Sequence, residues 1–168
     1  MGLKSTSSTI QIGFSLAESA ANTFTEGRVD LQLNPLDNEV FVVTGLKMDP
    51  QSPDALAATD TFVNCSVSTT SLTNVGNLSQ SQVIGTASRA IRAAGFVDGG
   101  VGFEQNDADA PTAMIDYLAI IATNDFFIQV LGGNNGSAKG VSGKMYGYRA
   151  KADAAQYAAL VQSEVLSS

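Results

Sequence analysis

Histidine is absent from the chain, which removes the usual general base, the usual zinc ligand and the central member of Ser and Cys nucleophile triads. Tryptophan is absent too, so the largest aromatic platform for a sugar ring is missing. Cys65 is the only cysteine. An internal disulfide is therefore excluded, stability must come from packing and strand pairing, and a reducing compartment is expected. No stretch reaches about 18 consecutive apolar residues, and the first residues, MGLKSTSSTIQ, carry no apolar run of signal-peptide length. Neither an export signal nor a membrane span is expected.

Charge is sparse: 15% of residues are charged against 44% hydrophobic, and Ser, Thr, Asn, Gly and Ala fill the difference. Charge normally keeps monomers apart, so a lightly charged surface favours contact between copies. The 9 basic and 16 acidic residues give a net charge of -7, which repels phosphate backbones and disfavours direct nucleic-acid binding. Arg89 and Arg92 are the one close basic pair in the middle of the chain, and they read as part of a solvated face.

What is present is β-strand patterning. Ile10, Ile12, Phe14 and Leu16 alternate with polar or small residues, as do Val29, Leu31 and Leu33, and then Val63, Cys65 and Val67. The run EVFVVTGLKMD places Val40, Val42, Thr44, Leu46 and Met48 on one face and Phe41 and Val43 on the other, a pattern expected of a central strand. MIDYLAIIA and TNDFFIQVLGG are expected to pair through a turn at Thr123, Asn124 and Asp125. GGNNGSAKG then predicts a hairpin with a long, flexible tip leading into VSGKMYGYRA. QSQVIGTASRAIRAAGF is read as a short helix through Val83, Ala87, Ala90 and Ile91, with a glycine-interrupted strand as the alternative.

At the end of the chain the period changes. Ala154, Tyr157, Ala158, Val161 and Val165 recur at helical spacing, and Asp153 with Gln156 forms a capping-box-like start. The pattern predicts one all-β domain over residues 1–168, a β-sandwich built as a single jelly roll of about eight strands. Residues 1–8 are expected as a flexible arm and 153–166 as a short C-terminal helix.

Candidate chemistry is thin. Cys65 alternates with Val63 and Val67 and reads as an inert core thiol. Glu104, Asp107, Asp109 and Asp116 are near enough in sequence for a carboxylate pair, yet read as a solvated acidic loop. Glu104, Asp107 and Asp109, with Gln105 and Asn106, are also the calcium-ligand candidates, although their spacing does not match an EF-hand. Gly99–Gly100 and Gly132–Gly133 lack the Lys and Ser/Thr of a phosphate loop and read as turn glycines. Tyr146 and Tyr148 form a stripe either for a partner or under the terminal helix. No catalytic residue and no obligatory cofactor are expected.

STIQIGFSLAESAANTF, EVFVVTGLKMD, FFIQVLGGNNGSAKGVSGKMYGYRA and DAAQYAALVQSEVL, in that order, resemble the single jelly-roll major capsid proteins of tailless icosahedral viruses of the sphaerolipovirus-like type. The resemblance implies a non-enzymatic virion subunit, made in host cytoplasm, that packs against copies of itself and other virion proteins. With a pI near 4.3, such a subunit would be separated from the genome by an intervening layer, which in these viruses is an internal membrane. A carbohydrate-binding or adhesive β-sandwich, and a head decoration or tail component, are the alternative readings.

Overall fold

The computed structural model describes residues 3–95, 101–106 and 116–167. Ten strands, one α-helix and a single 3-10 turn (Pro35–Asp37) are present among them: β1 (Lys4–Ser5), β2 (Ile10–Ala17), β3 (Thr25–Asp30), β4 (Glu39–Pro50), β5 (Thr61–Ser68), β6 (Val83–Arg92), β7 (Gly102–Asn106), β8 (Ala119–Ile121), β9 (Asp125–Gly133), β10 (Gly140–Lys151) and α1 (Ala154–Ser167).

All pairings are antiparallel, and the strands form two sheets. The first runs β2–β10–β4–β8, with β1 continuing the β2 edge along β10; the second runs β3–β9–β5–β6–β7. Successive strands cross between the sheets from β2 to β5 and again from β7 to β10. This interleaving of two Greek keys is the jelly roll that the strand count predicted. Eight strands make the roll, and β1 and β7 are additions at its edges.

Between the sheets lies a dry core of Phe14, Phe41, Val43, Met48, Val63, Val67, Phe126, Ile128 and Met145, with Cys65 fully buried among them as the alternation predicted. Phe14 of the first sheet meets Phe126 of the second edge to face at 6.0 Å. A second, smaller cluster lies on the outer side of the first sheet. There Tyr157, Leu160 and Val161 of α1 cover Val40, Val42, Ala150 and Tyr148. Tyr148 thus sits beneath the helix, while Tyr146 is half-buried alongside Gly45 on the same strand face.

Thr44 explains how β4 serves both clusters. Gly45 pairs with Tyr146 and Val43 with Gly147, so Thr44 is an extra residue in the ladder. Such a bulge resets the alternation. Phe41 and Val43 before it therefore share the inner face with Leu46 and Met48 after it, and the expected grouping of Val40 and Val42 with Leu46 and Met48 is corrected. A Cβ on Gly147 would lie 2.2 Å from the Val42 carbonyl oxygen, so glycine is required opposite this bulge.

Several other expectations change. Residues 83–92, read as a helix, are strand β6, because pairing with β5 on one side and β7 on the other outweighs a weak helical period. Of the run MIDYLAIIA, Met114 and Ile115 lie outside the described residues, and the rest yields only the three-residue β8. The turn at Thr123–Asp125 does not close a hairpin, since β8 pairs with β4 in one sheet and β9 with β3 and β5 in the other. GGNNGSAKG likewise joins β9 to β10 across the two sheets, so no hairpin forms there. Leu31 and Leu33 are buried as predicted but lie beyond β3, whose exit is bent at Gln32, φ 53°. Residues 4–7 do not hang free: β1 pairs with the end of β10, and Ser7 Oγ accepts a 2.9 Å hydrogen bond from Arg149 N–H.

The helix starts as the sequence indicates, with Asp153 Oδ1 accepting from Gln156 N–H at 2.7 Å. Its buried face is rotated, however. Glu164 is buried and Val165 exposed, because the Glu164 carboxylate accepts the N–H groups of Ala122 and Thr123 and so ties α1 to the turn between the sheets.

Candidate functional site: polar clusters and a covered groove

Three places concentrate polar chemistry, and the first is at the end of the roll where the β2–β3, β4–β5 and β9–β10 connections meet. The buried Glu18 carboxylate accepts the N–H groups of Thr23, Gly132 and Lys139 at 2.8, 2.9 and 2.9 Å. Asn135, also buried, donates its side-chain N–H to the Phe62 carbonyl and accepts from Asp54 N–H. Lys139 Nζ, almost wholly enclosed, lies 2.7 Å from Asp54 Oδ1. The 134–139 segment expected to be a flexible tip is therefore pinned by Glu18, Phe62 and Asp54. Asn134 does adopt positive φ, 59°, as its composition suggested.

These contacts have a consequence in acid. The Lys139 ammonium, and then the Gly136 N–H, hold the Asp54 carboxyl below its usual range. The Ala94 and Ala93 N–H groups do the same for Asp60. A carboxyl with a lowered folded pKa contributes stability that is complete above the unfolded value of about 4 and is lost as pH falls through the folded one. Asp125 acts in the opposite sense. Burial raises its pKa against the pull of Arg28, so its contribution favours the fold as pH falls. Melting temperature should therefore decline below about pH 4, and Asp54→Asn with Asp60→Asn should flatten that decline in melts followed by circular dichroism.

The second place is the outer face of the second sheet. Asn64, Ser66 and Ser68 alternate with the core residues of β5, a pattern that by itself reads as a wet face. Instead Ser66 and Ser68 are fully buried with Gln129 beneath the β5–β6 connection, residues 69–82. Gln129 Nε2 donates to Glu26 Oε2 and Ser68 Oγ, and its Oε1 accepts from Ser66 Oγ. Glu26 in turn accepts from Leu72 N–H, and Ser66 Oγ accepts from Gly76 N–H, so the connection is fastened down as a flap. Beyond the fastened part the flap stands off the sheet and leaves a groove of about 530 Å³. Nothing in the sequence marks it, because the flap carries no motif and its anchors are ordinary Ser, Gln and Glu.

The third is the acidic segment. Glu104 belongs to strand β7 and pairs with Arg92 at 3.2 Å across the ladder, which corrects its reading as a loop residue. Asp107 and Asp109 lie outside the described residues, as do Gly99 and Gly100, and Asp116 is exposed. Among the described residues, no three His, Cys, Asp or Glu side chains gather as metal ligands. Arg89 pairs with Asp49 at 2.9 Å, joining the two sheets, so neither arginine of the basic pair is a free cation. Gly132 and Gly133 lie within β9 and do not form a turn.

Large apolar side chains remain outside: Leu36 is 92% exposed in the turn before β4, Leu78 70% on the flap, Phe103 75% on the edge strand β7, and Leu166 76% at the end of α1. No helix among the described residues is long and apolar enough to cross a membrane. No family model, no curated protein and no solved structure matches this chain.

Proposed function

We propose that this protein is a structural subunit that assembles with copies of itself into a closed shell, as the single jelly-roll capsid proteins do. The observation that carries this reading is the jelly-roll roll with apolar side chains exposed at separate places: Leu36 before β4, Phe103 on β7, and Leu166 on α1. A subunit surrounded by neighbours needs several distinct contact patches, because heterologous contacts join one patch to a different one. Scarce surface charge supports it, since few ions would be stripped of water at those contacts. So does the pinning of the β2–β3, β4–β5 and β9–β10 connections, which presents one end of the roll as a fixed shape.

The acidic balance supports a shell whose interior surface meets something other than naked nucleic acid. Negative-stain electron microscopy of the purified full chain, with light scattering on the eluting peak, tests the proposal. Closed particles or capsomer-sized rings are expected as concentration rises. A strictly monomeric species at every concentration and ionic strength would sink it.

A further inference from the structure

We infer that the groove beneath the 69–82 flap is a binding site for a neutral saccharide. The pairing register builds its floor. Leu131, Asn64 and Ser88 lie side by side across β9, β5 and β6, and Gly133, Phe62 and Ala90 form the adjacent row. Directly paired residues share a sheet face; of these, Leu131, Asn64, Ser88 and Phe62 line the groove, and Ala90 lies in the neighbouring depression.

Phe62 is the platform. A Cβ on Gly133 would fall 2.0 Å from the Phe62 ring, so the ring occupies the space a side chain would fill and reclines over the β9 backbone. One face rests on the sheet, and the half-exposed ring forms a wall of the groove on one side and of a second depression of about 270 Å³ on the other. A flat apolar surface in this posture matches the C–H face of a pyranose, which is too polar at its rim to bind an apolar slot and too apolar on its face to bind a charged one.

The rim supplies the polar complement. Asn64, Thr86 and Ser88 line the groove, and their side chains hydrogen-bond to no other described residue. Ser66, Ser68 and Gln129, immediately along the same face, are fully committed to holding the flap. The free set offers an amide and two hydroxyls, each able both to donate and to accept, which is what a ring of sugar hydroxyls requires. The wall opposite is the flap, which sets the apolar Val75 and Leu78 beside the amides of Asn74 and Asn77. At about 530 Å³ the groove is within the range of small-ligand sites.

Charge decides the class of sugar. Among the described residues no acidic or basic side chain lines the groove, although the chain has 9 basic and 16 acidic residues. A sialylated or sulfated glycan would surrender hydration there without meeting a cation, and would approach a protein of net charge -7. A neutral oligosaccharide loses nothing on either count. The described lining offers amide and hydroxyl groups to a sugar and no carboxylate, so the expected binding does not run through calcium.

This site stands apart from the assembly reading and is tested on dispersed protein. The full chain is applied to a glycan array carrying neutral, sialylated and sulfated oligosaccharides, with and without chelator, and hits are titrated by calorimetry. Retention of neutral saccharides, unchanged by chelator and weakened at least tenfold by Phe62→Ala or by Asn64→Ala with Ser88→Ala, is the expected result. Both variants alter outward-facing side chains, and an unchanged melting curve confirms that they fold. The proposal is overturned if no neutral saccharide is retained, if binding requires calcium, or if Phe62→Ala binds as tightly as the parent. It is also overturned if Phe62→Ala disrupts oligomers while saccharide is never bound, since the groove would then seat a second copy. A monomer that binds sugar would retain this site and remove the shell.

Discussion

Phe126→Ala should lower the free energy of unfolding by about 3–5 kcal/mol, the cost of emptying an aromatic site in a packed core. Phe126 is fully buried on β9, the strand flanked by β3 and β5, and its ring meets Phe14 from the opposing sheet. Removing it deletes the contact that spans the roll and leaves a void bordered by two sheets that cannot collapse independently. Against a total stability of about 5–15 kcal/mol, this is a large share. In a domain of this length the melting temperature should fall by roughly 10 °C. Urea titration checks the prediction: the midpoint should drop while the slope stays constant. Phe103→Ala, on an exposed ring, should change stability by no more than about 0.5 kcal/mol. Equal losses at the two positions would mean that the core is not where the burial places it.

Glu18→Ala should cost about 3–5 kcal/mol although it removes no apolar contact. Its carboxylate is the acceptor for three backbone N–H groups, those of Thr23, Gly132 and Lys139, in a site closed to water. Each donor left unpaired in such a place carries a desolvation penalty of about 1–3 kcal/mol. Some of that is recovered if water enters the space vacated. Glu18→Gln retains an acceptor oxygen but presents an NH₂ where a second acceptor was needed, so about half the loss is expected. Amide hydrogen exchange separates this account from a general loss of charge. Protection should fall first at Thr23, Gly132 and Lys139, and before the amides of β5 respond. Uniform loss of protection across the sheets would contradict a local role for Glu18.

Both predictions concern residues of different legibility. Phe126 is plain in the sequence, since it alternates with Ile128 and Val130 and all three are buried. Glu18 is not. It follows a strand as one acidic residue among sixteen, and its partners lie more than a hundred positions away in Gly132 and Lys139. The same holds for the groove: Asn64 and Ser88 belong to separate elements until the ladder sets them beside each other, and Phe62 is one strand aromatic among others until Gly133 is placed under its ring.

Alternation at Ile10–Leu16 and Val63–Val67, the spacing of the strands and the capping Asp153 were enough to establish strands, a closing helix, an all-β sandwich and a buried Cys65. Those are local properties: a side chain's face follows from its position in the repeat, and a cap from its immediate neighbours. The tertiary structure alone decided which sheet each strand joined, why β6 is not helical, where Thr44 shifts the phase of β4, and that Glu164 rather than Val165 turns inward. Each of these is settled by a partner distant in the chain, through burial and hydrogen bonds that exist only once the two sheets have closed on each other.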